Sequence, residues 1–345
     1  MAALAHESSP ALAYPPIATL AKYEKFDDWR AELIENGFVV VKGAVPKNRA
    51  AHYREQCYNW LRSFGTKIDF ENPETWTSEN LPIQNAIRAF GAYCVSHEKF
   101  MWDARMEPGV LDAFSKLWGT DELLVSFDCL NITFPNRRDL PARRPWEHID
   151  QSPYKRGLHC VQGIIHLSPS GPEDGGLVVF PGSHKLNDEF FDTHPLILSP
   201  DKHPDISASP AMKDVYIFNK EELEWFSARG LRSHKVCAEP GDLILWDSRT
   251  IHYGSDPTER GNTIRTAVYA TYMPAKLASS DQLALKKNKF ESWGSTTHWP
   301  YEHIKPGPTL ARLPDGTRDP RDRDQPLQVP ELSDKLLKLA GAKPY

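Results

Sequence analysis

The 345-residue sequence predicts a mainly β fold with flanking helices, its core a double-stranded β-helix of the jelly-roll, cupin-like kind. Two observations predict it. Hydrophobic periodicity is helical in the first third of the chain and takes the period of strands from Leu123 onward. Eight short strand candidates then follow one another between Pro, Gly, Asn and Asp signals with no amphipathic helix among them, which favours an antiparallel barrel over a parallel α/β sheet. The expected division is a surface arm over 1–21, a helical region over 22–122 packed on the barrel, a β core over 123–275 and a C-terminal extension over 276–345, all in one integrated domain.

Asp27 or Asp28 can cap a first helix whose apolar positions Trp29, Leu33 and Ile34 share a face, and Asn36-Gly37 ends it. Phe38 to Val41 is a short buried strand. Pro46 opens a second helix through Tyr53, Cys57, Trp60 and Leu61 to about Phe64. The polar stretch from Gly65 to Leu81 is a long loop, and Pro108 to Trp118 is a helix that stops at Gly119. The aromatic residues Trp60, Trp76, Phe90, Tyr93, Phe100 and Trp102 are expected to pack as core. Candidate strands are 123–134, 146–150, 159–167, 176–180, 215–218, 231–235, 242–247 and 264–272. Pro181-Gly182-Ser183-His184 is expected to be a turn between two of them, which leaves His184 a loop residue. Helices are expected near Asp281 to Lys287 and from about Pro330 to Leu339, with a solvated, charge-balanced loop over 306–326.

Composition narrows the function classes. Acidic residues number 46 against 41 basic ones, so the chain lacks the cationic excess that tracking a phosphate backbone requires. No apolar run approaches the roughly 20 residues of a membrane span, and Met1 to Pro16 lacks the pattern of a signal peptide. A cytoplasmic enzyme, monomeric or homodimeric, acting on a small molecule with neither nucleic acid nor membrane as partner, is the expectation. The five cysteines include no CxxC pair and are expected to be buried, reduced thiols. Serine-hydrolase, HExxH, phosphate-loop and dinucleotide motifs are all missing from the sequence.

His148-Ile149-Asp150 stands at a strand end, where a period of two aims His148 and Asp150 to the same side. His252 follows 102 positions after Asp150, at the end of another apolar stretch, where a barrel can bring it beside the pair. Two imidazoles and one carboxylate on one octahedral face suit non-haem Fe(II), leaving three positions for co-substrate and dioxygen. Arg265 comes thirteen positions after His252 and begins an apolar strand. A dicarboxylate such as 2-oxoglutarate, chelated at its keto acid end, carries a second carboxylate inward, and arginine is its best buried partner.

These segments, with Gly175-Gly176-Leu177-Val178-Val179-Phe180-Pro181-Gly182-Ser183-His184-Lys185 and Gly241-Asp242-Leu243-Ile244-Leu245-Trp246-Asp247 between them, resemble the phytanoyl-CoA dioxygenase family of Fe(II)/2-oxoglutarate oxygenases over roughly Leu123 to Tyr272. The resemblance implies that His148, Asp150 and His252 hold iron and that Arg265 binds the 5-carboxylate. The interval from His252 to the arginine is longer than members commonly have, and Arg260 lies inside it. Members that halogenate lack the carboxylate ligand, so Asp150 implies oxygen insertion or desaturation.

Alternation on 160–167 turns Gln162 inward as a co-substrate contact, with Asn131 a similar candidate and His166, on the same face, a core histidine. Ser255 can assist the carboxylate clamp, and Trp146 or Arg249 can line a substrate pocket. Arg143-Arg144 is a loop facing water. A small metabolite of specialised biosynthesis is the expected substrate, since the closing Ala342-Lys343-Pro344-Tyr345 is no peroxisomal signal. The competing readings are a cupin-like zinc hydrolase or lyase and a binding protein without turnover.

Overall fold

Asp28 caps helix α1 (Trp29–Asn36) by accepting the Arg30 N–H, and Gly37, at φ 77°, closes it through an N–H to the Leu33 carbonyl. The left-handed turn favours a residue without Cβ, and a Cβ at Gly37 would collide with the Thr250 and His184 side chains. Strand β1 (Phe38–Val41) leaves directly from it. The computed structural model describes residues 25–153, 155–194 and 214–345, so the arm expected over 1–21 lies outside the described residues.

Helix α2 (Lys47–Arg62) buries Ala50, Tyr53, Cys57, Trp60 and Leu61, one stripe at three- and four-residue spacing. Then come β2 (Ala89–Phe90), α3 (Lys99–Arg105), α4 (Pro108–Trp118), β3 (Leu123–Val125) and β4 (Leu130–Thr133). The site region holds β5 (His148–Ile149), β6 (Val161–His166), β7 (Gly176–Val179), α5 (Ser183–Thr193), β8 (Tyr216–Ile217), α6 (Lys220–Ala228) and β9 (His234–Lys235). The chain continues through β10 (Leu243–Asp247), β11 (His252–Ser255), β12 (Arg265–Tyr269), β13 (Tyr272–Pro274), α7 (Ser280–Glu291) and α8 (Asp334–Leu339).

Two antiparallel sheets dominate. One runs β1-β10-β6-β12-β4-β2 and the other β8-β5-β11-β7-β9, with β13-β3 as a separate ribbon. Ile164, Ile244, Trp246 and Ala267 of the first pack against Leu177, Val179 and Val236 of or beside the second, forming a core between the sheets. A larger apolar cluster joins the other side of the six-stranded sheet to α2, α3, α4 and α8. The aromatic residues of the N-terminal third, Trp60, Trp76, Phe90, Tyr93, Phe100 and Trp102, are buried there as expected. A third cluster, including Phe190, Phe191, Phe218 and Phe226, packs α5 and α6 beside β8.

Several elements differ from the sequence reading. The single strand expected over 123–134 is two, because β3 pairs with β13 while β4 pairs with β12. Between them the Ser126 N–H goes to the Thr271 carbonyl and the Phe127 N–H to Thr296 Oγ1, so the switch leaves neither donor orphaned. Ser183-His184 is the first turn of α5, with Gly182 before it, not a turn between strands. The polar stretch around His252 is itself a strand, since β11 sits between β5 and β7 and draws its pairing from both. Cys237 is exposed, whereas the other four thiols are buried. Within 306–326, Asp319 is buried and accepts from Tyr93 Oη at 2.7 Å, so that stretch is not uniformly solvated. No helix among the described residues is long and apolar enough to cross a membrane.

Candidate metal centre and co-substrate pocket

Cross-strand register brings the two distant histidines together. His252 stands opposite His148 in the β11–β5 pair, with ring centroids 4.3 Å apart. Asp150, just past β5, places Oδ1 at 3.5 Å from His148 Nε2 and Oδ2 at 3.2 Å from His252 Nε2. Each imidazole is held from behind in the same way: His148 Nδ1 bonds the Trp146 carbonyl at 3.0 Å and His252 Nδ1 bonds the Thr250 carbonyl at 2.8 Å. A carbonyl only accepts, so the proton sits on Nδ1 and each Nε2 presents a lone pair.

Two lone pairs and a carboxylate therefore converge in a buried place. Burial first, then His252, pushes the His148 pKa down to about 4, which keeps that imidazole neutral at ordinary pH. Burial works to raise Asp150, and positive charge on the side of His148 and His252 works to hold its carboxyl below the usual carboxylate range, a charge that a cation supplies there once both rings are neutral. Gln162 Nε2 donates to Asp150 Oδ2 at 2.9 Å and orients it. Such a convergence is repulsive until a cation stands among the three groups, and it offers the two-nitrogen, one-oxygen face that Fe(II) takes. The residues fit the metal.

The three groups open on a cavity of about 660 Å³, ample for a co-substrate together with a metabolite. Arg265, 3% exposed, lines it. Its Nη1 donates to Asn131 Oδ1 at 2.6 Å, whereas its Nε is buried without a partner. A buried guanidinium with no carboxylate partner among the described residues is the cradle that an incoming carboxylate completes.

A family model described as Phytanoyl-CoA dioxygenase (PhyH) matches residues 33–261. The chain belongs to the phytanoyl-CoA dioxygenase family. The matched span begins in α1, well before the part that carried the resemblance, and stops just short of Arg265. A relative, "Ava biosynthesis cluster protein O" of Aspergillus versicolor, is 39% identical over 282 residues, 81% of this chain and 88% of that one. The solved structure of GlcNAc Inducible Gene 2 from Candida albicans shares the fold at TM-score 0.52, with 14% identity over 92% of this chain and 81% of that one. The alpha ketoglutarate dependent carbocyclase SnoK from nogalamycin biosynthesis is a looser match, at TM-score 0.46 and 16% identity over 73% and 86% of the two chains. The family's cofactors are iron and 2-oxoglutarate, and the donors described above suit both.

The other residues singled out in the sequence divide. Ser255 and Trp146 line the cavity, and Trp146 stacks on His148 with centroids 4.1 Å apart. Arg249 does not. It turns back from the β10–β11 turn to clasp Asp247 through Nη2 at 2.7 Å and Nε at 3.1 Å, because a buried guanidinium two residues from a buried carboxylate neutralises it there. Arg260 is exposed and paired with Glu173, which leaves Arg265 as the one of the two that lines the cavity. His184 bonds the Ile34 carbonyl and His166 is fully buried, both outside the metal centre. Arg143 pairs with Asp256 and reaches the cavity wall, so it does not simply face water.

The sequence reading missed Tyr269, Asp128 and His298, all of which line the cavity. Tyr269 was findable, since it shares the alternation of Arg265 and Ala267 on β12. His298 lies in the C-terminal extension, lines the cavity and has a buried Nε2 without a hydrogen-bond partner among the described residues, a placement that no local pattern announces. Asp214, Glu302 and His303 form a second acidic cluster, but Lys155 Nζ, at 3.1 Å from Asp214 and 2.8 Å from Glu302, already supplies its positive charge.

Proposed function

We propose that this protein is a non-haem Fe(II)/2-oxoglutarate-dependent dioxygenase that hydroxylates a small organic metabolite, with 2-oxoglutarate converted to succinate and CO2. The observation that carries the reading is the meeting of three converging donors and a buried arginine in one cavity. When bound, iron with dioxygen and the oxo acid supplies the oxidising chemistry.

The chain's own residues provide positions and surroundings. His148, Asp150 and His252 are the ligands, steadied by the Trp146 and Thr250 carbonyls and by Gln162. Arg265, braced by Asn131 with Ser255 nearby, receives the far carboxylate of the co-substrate. Trp146, Ile164, Leu177 and Trp246 give the cavity apolar walls that displace water, and Trp146 is a substrate contact. Asp150 fills the position that a halide needs, which favours oxygen insertion. A zinc hydrolase or lyase gives Arg265 no task.

The cluster named in the Aspergillus versicolor relative supports a role in specialised biosynthesis. We infer further that the two sheets form a double-stranded β-helix as core of a single integrated domain, and that the protein is cytoplasmic and monomeric or homodimeric. The test is anaerobic addition of Fe(II) and 2-oxoglutarate. A weak visible charge-transfer band should appear in the wild type and be lost in His148→Ala, and succinate release against a metabolite panel should then name the substrate. A wild type properly loaded with iron that shows no band rejects the reading.

A further inference from the structure

Two cations flank Gly176, which lines the cavity together with Arg265 and Ser255. Lys235 of β9 donates from Nζ to Ser255 Oγ at 3.2 Å, and Ser255 in turn donates to the Gly176 carbonyl at 3.1 Å. A Cβ built on Gly176 would lie 2.8 Å from Lys235 Nζ, 2.8 Å from Ser170 Oγ and 3.4 Å from Arg265 Nε. The ammonium and the guanidinium are therefore no farther apart than two of those distances laid end to end. With no side chain there, both cations and a hydroxyl close on one point beside Gly176.

No carboxylate among the described residues stands in ion-pair contact with either cation. Nearby basic groups are matched elsewhere: Lys155 to Asp214 and Glu302, Arg143 to Asp256, Arg249 to Asp247, and Arg260 to Glu173. Lys235 and Arg265 have no such ion pair among the described residues. Burial first, then Arg265, pulls the Lys235 pKa down to about 7. The charged and titratable groups around it are Arg265 of β12, His166 of β6, Asp174 before β7, and Cys237 after β9. Two like charges held together out of water raise the energy of the empty pocket, and an anion placed between them removes the penalty.

We propose that Lys235 is, with Arg265, a binding residue for the far carboxylate of the co-substrate, and the residue that makes the pocket select a dicarboxylate over a 2-oxo acid with a neutral tail. This rests on the functional reading above and adds a second cation that the sequence pattern did not indicate. A carboxylate beside Lys235 stabilises its charged form, so binding above pH 7 takes up a proton.

The test is calorimetric titration of the full-length protein, loaded with Mn(II) in place of iron, at pH 8. 2-Oxoglutarate and the neutral-tailed 2-oxovalerate are compared in two buffers of different ionisation enthalpy. In the wild type, 2-oxoglutarate should bind with net proton uptake. Lys235→Met should weaken 2-oxoglutarate about tenfold or more, leave 2-oxovalerate unchanged and abolish the uptake, while Lys235→Arg should restore affinity without it. Lys235→Gln, which removes the charge and can keep the contact with Ser255 Oγ, should show the same selective loss and serves should the methionine variant misfold. Wild-type affinity in Lys235→Met, or equal loss of both acids, overturns the proposal alone. A wild type that binds neither acid overturns the functional reading and this inference with it.

Discussion

Gln162 touches Asp150 rather than waiting for a ligand, so its work is to aim a carboxylate. Partners behind a metal ligand typically govern about 10 to 100-fold in affinity. Gln162→Leu is therefore expected to weaken Fe(II) binding by about that factor while the charge-transfer band keeps its position, as an anaerobic metal titration can check. Alternation along one strand was enough to turn Gln162 inward in the sequence, but not to say which group it would meet, because Asp150 belongs to the other sheet's side of the site. His148, Asp150, His252 and Arg265 were legible for a different reason: metal and carboxylate chemistry restrict the side chains able to serve. Arg249 shows where that reasoning stops, since a neighbour two residues away captured it. His97 offers a pH test away from the metal. Its Nε2 bonds the Gly294 carbonyl at 2.9 Å, Trp102 Nε1 donates to its Nδ1 at 3.4 Å, and burial pulls its pKa from 6.5 down to about 3. An unfolded chain takes up this proton first, so the neutral ring contributes stability fully above pH 6.5, and that contribution is lost as pH falls toward 3. Urea unfolding of His97→Gln should show a flatter pH dependence over that window than the wild type.

Helix α4 carries a glycine where a helix ordinarily prefers alanine. Gly109→Ala in an exposed helix would stabilise by up to about 1 kcal/mol. Here a Cβ at Gly109 would stand 2.3 Å from the Ala44 carbonyl oxygen, which is backbone and cannot rotate away. The variant is expected to melt several degrees lower, and a thermal shift in the opposite direction would reject that account of the α4 approach. Elements with strong local signals were readable: Asp28 and Gly37 bound α1, Pro46 opens α2 ahead of its buried stripe, and Pro108 and Gly119 bound α4. Helices α5 and α6 were passed over because they interrupt a run of strands and begin beside residues that also suit turns. β11 was missed because its polar sequence, His-Tyr-Gly-Ser, lacks strand composition and is a strand only by having β5 on one side and β7 on the other.

At the scale of the molecule, the C-terminal extension is part of the cavity. Thr296, His298 and Thr309 stand on its wall, and Thr296 is held to Phe127 through both backbone and side chain. His298→Ala is expected to preserve the iron and 2-oxoglutarate band while raising the KM for the metabolite and uncoupling succinate release from product, which paired product and succinate assays resolve. No periodicity in the sequence announced this, because the wall depends on contacts such as that of Phe127 with Thr296, 169 positions apart. The two-residue strand β5 carries a last consequence. It meets β11 at one register pair and β8 at two, and Asp150 beyond it is fastened to the opposite sheet through Gln162. An ion bound by His148, Asp150 and His252 would act as a rivet through this weakest seam. Hydrogen–deuterium exchange should find the 148–152 and 250–255 amides trading rapidly in metal-stripped protein and slowing on reloading, while the α2 and α4 amides keep one rate throughout.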